Sequence, residues 1–308
     1  METGKNYQLV IIGAGPAGLA ASIYAARFGI EHVVIGALSG GQISESHLID
    51  NYPGIEDATG FEFVQKWVHH VQKYGTEIMP LMVRSVQKNA EGFAIDLGND
   101  KKIQSQTLLL AAGTKRRKLG IKGEDELTGK GVSYCATCDG FFYKQKTVAV
   151  IGGNDSAAGA ALYLADIVEK VFLIYRGEKL RCENHWTELI AKNPKVEVLY
   201  KTNVVEIVGT EKVVGAKLDN PHHNQTEIAI DGLFIEAGSD PSVDLPQSLG
   251  TEMDEQGYVK IKSDASTSVA GVWAAGDITD GSDKFRQVIT AAAEGAIAAR
   301  SISNYLKK

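Results

Sequence analysis

Apolar and polar positions follow the same order in two separate segments of the chain. In residues 8–35, the apolar strand LVIIG leads through a glycine turn into an alanine-rich helix at Pro16–Phe28, and a second strand follows at His32–Ile35. Residues 147–175 repeat this order as VAVIGG, the helical run SAAGAALYLADI and the strand VFLIY. Each segment is therefore predicted to be a βαβ unit.

The rest of the chain predicts further strands and two more helices. Apolar residues recur on one helical face at Gly60–Tyr74, and an alanine-rich helix is expected at Phe285–Leu306, shortly after the segment VWAAGD. Short strands are expected near Val83, Phe93, Leu108, Val196, Val204, Val213, Ile228 and Phe234.

The length and the repeated unit together predict the domain organisation. A chain of 308 residues exceeds the usual size of one hydrophobic core, so two compact domains are expected. We predict an α/β fold with two Rossmann-like (three-layer) dinucleotide-binding domains, the second inserted into the first. The expected parts are 1–115, the insertion 116–243, and 244–308. The linkers at 113–120 and 238–246 would cross between the domains side by side and could act as a hinge.

Composition and charge narrow the class of partner. Hydrophobic residues make up 44% and charged residues 23%, as in an ordinary globular enzyme. The formal net charge of −6 argues against a nucleic-acid partner, which would favour a concentrated basic surface. Met1–Gln8 lacks the features of a signal peptide, and no apolar run is long enough to cross a bilayer. We therefore expect a cytoplasmic protein with no membrane partner.

The first glycine turn has the pattern GxGxxG, formed by Gly13, Gly15 and Gly18 between a strand and a helix. Gly13 allows a tight turn, Gly15 lets a pyrophosphate approach the helix N-terminus, and Gly18 permits close packing of the helix on the sheet. A glycine-rich turn without a ligand is the alternative. The pattern alone does not separate FAD from NAD.

The segment CATCDG contains the sharpest candidate for chemistry. Cys135 and Cys138 stand at a spacing that closes a small disulfide ring and reopens by thiolate exchange. A zinc site would need two more ligands, and the best remaining ones, His222 and His223, lie in what looks like an exposed turn. Asp139 could transfer a proton beside a thiolate, although an acidic residue in a turn is often only a cap.

The second glycine turn, Gly152–Ala157, also stands at a strand end and is predicted to hold another nucleotide. Arg176 and Arg181 follow the next strand, where cationic side chains could receive a 2′-phosphate; solvated arginines are the alternative. The basic run 115–118 is expected to be a solvated part of a linker, and Cys182 a bystander.

The motifs IIGAGPAG, GGQ, NYPG, CATCDG, AAGD and FRQVITAAAEGAIAA, in this order and spacing, resemble the low-molecular-weight FAD-dependent thioredoxin reductases. The resemblance implies a homodimeric disulfide reductase that passes electrons from NADPH through FAD and Cys135/Cys138 to oxidised thioredoxin or a thioredoxin-like protein. It implies that Cys138 faces the flavin, that Cys135 attacks the partner disulfide, and that Asp139 is the proton donor.

The resemblance also implies two cofactor sites, FAD between the two chain ends and NADPH in the inserted domain. The implied FAD residues are Gly13, Gly15, Pro16, Ala17, Gly18, Gly41, Gln42, Asn51, Val83, Gly113, Gly276, Asp277, Arg286 and Gln287. The implied NADPH residues are Gly153, Asn154, Asp155, Ser156, Ala157, Arg176 and Arg181.

The inserted domain departs from the pattern of NADPH-using relatives. Asn154 stands at the third glycine of the turn, Gly159 and Ala160 replace an acidic pair, and Tyr175-Arg176-Gly177 replaces a basic cluster. Loss of one charge-assisted bond of about 1.5–3 kcal/mol would weaken NADPH binding about tenfold or more. One alternative is therefore that ferredoxin or another carrier supplies the electrons. A second alternative is a flavin-binding redox sensor with little turnover.

Overall fold

The computed structural model describes residues 5–37, 39–46, 48–98 and 101–308. It divides into two compact units. Unit 1 comprises residues 1–115 with 240–308, and unit 2 comprises residues 116–239. The chain thus leaves unit 1 once and returns to it once.

Unit 1 contains a seven-stranded sheet with helices. Its strands are β1 (Asn6–Ile12), β2 (His32–Ile35), β3 (Ile78–Met79), β4 (Ser85–Asn89), β5 (Gly92–Asp96), β6 (Lys102–Leu110) and β17 (Val272–Ala274). Its helices are α1 (Pro16–Arg27), α2 (Gly60–Lys73), α7 (Asp244–Leu249) and α8 (Val288–Leu306).

Parallel pairing organises the centre of this sheet. Strands β3, β2, β1 and β6 are neighbours in that order and parallel, and β17 continues the parallel pairing along the C-terminal part of β6. The hairpin β4–β5 pairs antiparallel with the N-terminal part of β6. Apolar side chains are buried on both faces, and α1 and α8 cover one of them. Burial on both faces explains why β1 is a nearly continuous apolar run.

Unit 2 contains two sheets and four helices. The strands lying wholly within it are β8 (Val132–Ser133), β9 (Thr147–Ile151), β10 (Lys170–Tyr175), β11 (Val196–Tyr200), β12 (Val204–Gly209), β13 (Val213–His222), β14 (Gln225–Ala229) and β15 (Gly232–Ile235). Its helices are α3 (Glu124–Leu127), α4 (Ala136–Asp139), α5 (Asp155–Ile167) and α6 (Asn184–Lys192), of which α3 and α4 are single turns.

Two apolar cores hold the sheets and helices of unit 2 together in layers. The order β11-β10-β9-β15-β8 forms a parallel sheet, and β12-β13-β14 forms a separate antiparallel sheet. One core packs α5 and α6 against the parallel sheet, and the other packs the three-stranded sheet against its opposite face. Each βαβ unit predicted from the sequence is thus present, one in each unit of the structure.

The two connections between the units pair with each other as β7 (Thr114–Arg116) and β16 (Ser239–Pro241). The basic run 115–118 lies here. Lys115 and Lys118 are solvated as predicted, since their side chains are 66% and 65% exposed, and they form surface ion pairs with Asp244 at 2.8 Å and Asp125 at 2.7 Å. The prediction is wrong for Arg116, whose side chain is only 26% exposed. Arg116 and Glu236 pair at 2.9 Å with the carboxylate buried.

Two further local predictions need correction, whereas the strand expected near Val83 is present as β4, which begins at Ser85. Helix α8 begins at Val288 instead of Phe285, because Gln287 is extended and its side chain forms a capping box with Thr290. His222 is the last residue of β13 and is half-buried, so it does not lie in an exposed turn. Among the described residues, no helix combines the length and apolarity that crossing a membrane requires.

Candidate active site

The first glycine turn, residues 13–18, joins β1 to α1 in a conformation that needs glycine. Gly13 has a φ of +122°, and a side chain there would overlap the carbonyl of Ala111, the residue that follows β6. A side chain at Gly18 would overlap the carbonyl of Gly13. These two close approaches bring the N-terminus of α1 directly onto the carboxyl edge of the parallel sheet, which is the usual place for a nucleotide in such folds.

The N-terminus of α1 is open in the described structure. Gly15 is the N-cap residue, and no described side chain accepts a hydrogen bond from the first turn. A Cβ built on Gly15 would meet nothing nearer than the carbonyl of Gly40, at 3.9 Å. Pro16 at the first helical position lacks an N–H, and Ala17 and Gly18 follow it. The free N–H groups and the helix dipole favour an anionic group at this point.

Hydrogen bonds join loops from distant parts of unit 1, and one of these loops contains Gly41, which lies beside Gly15. Gln42 follows Gly41 in a 3₁₀ turn, and its Nε2 donates to the carbonyl of Thr114 at 2.6 Å. The Nδ2 of Asn51 donates to Oε1 of Gln287 at 3.0 Å. The structure therefore connects residues that are 72 and 236 positions apart in the chain.

Asp277 and Arg286 lie in the segment between β17 and α8. Burial raises the pKa of Asp277, while the positive charge of Arg286 acts in the opposite direction. The guanidinium of Arg286 lies 4.1 Å from the ring centre of Tyr258, and its Nε is buried with no hydrogen-bond partner among the described residues. A buried donor without a hydrogen-bond partner costs free energy, so the position of this Nε is consistent with a bound polar group that accepts its hydrogen bond.

Glu294 of α8 is a residue that sequence reasoning missed. Its buried carboxylate accepts hydrogen bonds from the N–H of Gly276 at 2.8 Å and from the hydroxyls of Thr279 and Ser282. These three donors lie in one segment, 276–282, so Glu294 holds the backbone on which Asp277 stands. The available signal was a single acidic residue within an otherwise small and apolar helix face.

Two residues assigned to the FAD site, Gly113 and Val83, have no polar side chain. Gly113 has a φ of +61°, and a Cβ there would meet no described atom within 4 Å. Val83 packs its side chain against the core beside β4. Neither residue brings a polar side chain to the glycine turn, so a hydrogen bond from either of them to a ligand would come from its main chain.

The redox pair in unit 2 is joined as a disulfide. The Sγ atoms of Cys135 and Cys138 lie 2.11 Å apart, and their Cα atoms are separated by 5.3 Å. Cys135 is the N-cap of the one-turn helix α4, and the hydroxyl of Ser133 at the end of β8 accepts from its N–H at 3.0 Å. The bond between the two sulfur atoms agrees with the redox interpretation of the motif rather than with the zinc alternative.

The surroundings of the pair favour a thiolate at Cys135. The N–H of Cys138 donates to Sγ of Cys135 at 3.2 Å, and Oγ1 of Thr137 lies 3.4 Å from the same sulfur. After reduction, both groups can donate to a negative charge on this atom, which favours ionisation. Cys138 is the more exposed of the two cysteines. Asp139 lies one residue further on the same helical turn and is half-buried.

The second glycine turn, residues 152–157, differs from the first at the helix N-terminus. Asn154 is the N-cap of α5, and its Oδ1 already accepts from the N–H of Ala157 at 3.0 Å. Asp155 places a carboxylate in the first turn, and its Oδ1 accepts from the N–H of Glu183 at 2.8 Å. An N-cap that satisfies its own helix and a nearby negative charge both disfavour a bound pyrophosphate.

Arg176 and Arg181, the two predicted phosphate ligands, are exposed on the same unit. The guanidinium carbon of Arg181 lies 5.9 Å from the ring centre of Tyr175. That ring also packs against Gly153, where a built Cβ would approach it to 2.5 Å. Tyr175 therefore occupies the space beside the second turn, while Ser156 occupies the first turn of α5.

Comparisons with known proteins place these features in a family. The model of the pyridine nucleotide-disulphide oxidoreductase family matches residues 7–295. A thioredoxin reductase of Helicobacter pylori strain J99 is 40% identical over 306 residues, which cover 96% of this chain and 98% of that protein. The chain belongs to the thioredoxin reductase family. The sequence-based family prediction is thus confirmed.

Solved thioredoxin reductases share the fold. The crystal structure of T. acidophilum thioredoxin reductase covers 99% of this chain and all of its own, with a TM-score of 0.92 and 36% identity. A ferredoxin-flavin thioredoxin reductase from Clostridium acetobutylicum covers 98% of both chains, with a TM-score of 0.53 and 32% identity. These similarities confirm the predicted α/β fold with two dinucleotide-binding domains.

For a thioredoxin reductase, the Cys135–Cys138 disulfide corresponds to the oxidised state of the reactive pair. Sequence reasoning identified this pair and the first glycine turn from local spacing alone. It missed Glu294 and Tyr258, whose importance depends on contacts with distant segments, and it did not foresee that Asn154 caps its own helix.

Proposed function

We propose that this chain is an FAD-dependent thioredoxin-disulfide reductase that uses Cys135 and Cys138 as its redox pair. The observation that carries the proposal is the disulfide between these residues, at the start of a one-turn helix where a backbone N–H already points at Cys135 Sγ. In this proposal unit 1 is the FAD-binding domain, and unit 2 carries the redox pair. The oxidised thioredoxin, or a thioredoxin-like protein, is the disulfide substrate.

The residues of unit 1 fit FAD. The open N-terminus of α1 at Gly15 suits a pyrophosphate, and the unpartnered Nε of Arg286 provides a buried donor among the described residues. Asn51, Gln42 and Asp277 add polar groups around the same loops. The chemistry that FAD supplies when bound is two-electron transfer between a donor and a neighbouring disulfide.

Cys135 and Cys138 then carry out thiol–disulfide exchange with the substrate. Two electrons and two protons convert the Cys135–Cys138 disulfide into two thiols. Cys135 loses its proton, and its thiolate attacks one sulfur of the thioredoxin disulfide, which expels the other sulfur as a thiolate. Asp139 is the group proposed to deliver the proton that this thiolate takes up. Cys138 loses its proton and attacks Cys135 Sγ in the mixed disulfide, which expels the second thioredoxin sulfur as a thiolate and restores the Cys135–Cys138 bond. This thiolate also takes up a proton, so the two protons lost by Cys135 and Cys138 are matched by the two gained by reduced thioredoxin.

Single cysteine variants test the assigned roles. With Cys138→Ser, we expect Cys135 to remain trapped in a mixed disulfide with thioredoxin, visible as a covalent adduct by non-reducing electrophoresis and mass spectrometry. With Cys135→Ser, we expect no such adduct. Cys182→Ser is the matched control and should keep full turnover. Adduct formation by Cys135→Ser alone would reverse the roles, and undiminished turnover of either active-pair variant would refute the mechanism.

We propose NADPH as the electron donor on the basis of the family to which the chain belongs. Gly153 and the backbone of residues 154–157 form the turn where such a nucleotide would lie, and Arg176 and Arg181 are the exposed cations available to a 2′-phosphate. Ser156 adds a hydroxyl in the first turn of α5.

A second candidate donor is a protein carrier such as ferredoxin, and two features of the second glycine turn favour it. The N–H of Ala157 is already bonded to the side chain of Asn154, whereas the N-terminus of α1 has no such cap in the described structure. Tyr175 also fills the space beside Gly153. The same chain thus presents one glycine turn open to a pyrophosphate and one that is closed by its own side chains.

Anaerobic stopped-flow reduction of the flavin distinguishes the donors. NADPH, NADH and reduced ferredoxin are mixed separately with the same oxidised preparation. Fast, saturable bleaching by NADPH would support the first candidate, and bleaching by ferredoxin alone would support the second. Asn154→Gly removes the cap and should speed NADPH-dependent bleaching if the cap obstructs binding. Asn224→Gly, at a turn with a φ of +63°, is the matched control.

We further propose a homodimer in the cytoplasm, as the resemblance implies. Light scattering coupled to size-exclusion chromatography tests the dimer, since one chain has a mass of 33.1 kDa. A mass of one chain at micromolar concentration would refute it. Cell fractionation tests the location.

A further inference from the structure

One cluster of metal-binding side chains in unit 2 has no part in the disulfide chemistry. Glu197 on β11, His222 at the end of β13 and His223 in the following turn present their ligand atoms within 4.8 Å of one another. Oε1 of Glu197 lies 3.2 Å from Nε2 of His222 and 3.9 Å from Nε2 of His223. Two ligands of a tetrahedral zinc ion, each at about 2.0–2.2 Å, lie about 3.3–3.5 Å apart. Small side-chain movements therefore suffice to surround an ion.

The fold holds two of the three ligands in place. The ring of His222 is half-buried and packs edge-on against Phe172, with the ring centres 5.8 Å apart. Lys170 bonds Oε2 of Glu197 at 2.7 Å, which lowers the pKa of Glu197 and leaves Oε1 facing the imidazoles. His223, whose side chain is 82% exposed, is the adjustable third ligand. The site is thus partly pre-organised and open to solvent on one side.

We propose that Glu197, His222 and His223 form a surface site for a borderline transition-metal ion of the Zn²⁺ class. Two imidazoles and one carboxylate suit such an ion, whereas Mg²⁺ and Ca²⁺ prefer oxygen ligands throughout. Water completes the coordination. Because β11 belongs to the parallel sheet and His222 to the antiparallel one, a bound ion links the two sheets of unit 2.

Isothermal titration of the full-length chain with ZnCl₂ tests the proposal. The protein is kept oxidised so that Cys135 and Cys138 remain in their disulfide and cannot bind zinc as thiolates. We expect one site per chain that is absent from the double variant His222→Ala/His223→Ala. Glu197→Gln should weaken this site by at least about tenfold, since loss of even an outer-shell partner typically costs 10–100-fold in affinity.

His185→Ala, an exposed histidine of the same unit, is the matched control and should leave the site unchanged. Zinc should also raise the melting temperature of the parent and of this control, but not of the double variant. Circular dichroism verifies that each variant is folded. No zinc binding by the parent, or equal stoichiometry and affinity in the parent and the double variant, would overturn the proposal. Disulfide reductase activity plays no part in this test.

Discussion

Replacing Glu294 by Gln should loosen the segment that carries Asp277. The substitution preserves size and shape but removes the negative charge and one of the two acceptor oxygens. In the parent, Oε2 accepts from Gly276 N–H at 2.8 Å and from Thr279 at 2.9 Å, while Oε1 accepts from Ser282 at 2.5 Å. The amide oxygen of Gln can retain some of these bonds, but only as neutral ones.

The magnitude follows from the kinds of bond that change. A hydrogen bond to a charged group contributes about 1.5–3 kcal/mol and a neutral one about 0.5–1.5 kcal/mol, so each of three bonds loses about 1 kcal/mol. The sum for the segment 276–282 is about 2–3 kcal/mol. Since about 1.4 kcal/mol corresponds to a factor of ten, the amide of Gly276 should open and exchange about 30- to 150-fold faster.

Hydrogen exchange followed by mass spectrometry on peptides covering residues 270–285 measures this opening directly. Glu252→Gln, which changes an exposed carboxylate of the same unit, is the matched control and should leave exchange unchanged. We expect the flavin to be released more readily from Glu294→Gln, because Asp277 follows the freed Gly276. Exchange of Gly276 within threefold of the parent would refute the inference that Glu294 anchors the segment.

Two further predictions concern stability. Gly295→Ala should destabilise unit 1 by about 1–3 kcal/mol, because a Cβ there would overlap the carbonyl of Ala17 and push α8 from α1; an unchanged thermal midpoint relative to Ala293→Ser would contradict this. Burial lowers the pKa of His32 below its ordinary value of 6.5, so the folded state resists protonation. Below about pH 6.5 the unfolded chain binds this proton, and the free energy of unfolding should therefore fall as the pH drops. His32→Gln should flatten this dependence in urea titrations at pH 5 and pH 7.5, and an equal slope in both proteins would refute the assignment.

Local sequence determined the two βαβ units and the reactive pair. The turn at Gly13 and Gly18 could be predicted because a strand, a glycine pattern and a helix follow one another within a few residues, and each step obeys local backbone and packing constraints. The spacing of Cys135 and Cys138 likewise predicts a ring closed within one helical turn, which the disulfide confirms. Family membership follows from the order of these motifs along nearly the whole chain.

Tertiary structure alone decided how the site is supported. Asn51 meets Gln287 across 236 positions, and Glu294 reaches back to Gly276 through the packing of α8 on α1. The difference between the two glycine turns could be seen only in the tertiary structure. An Asn at this position can bind a ligand or cap its own helix, and the direction of the Asn154 side chain shows that it caps the helix. Long-range contacts depend on how separate elements pack, whereas spacing within one element is set by the backbone itself.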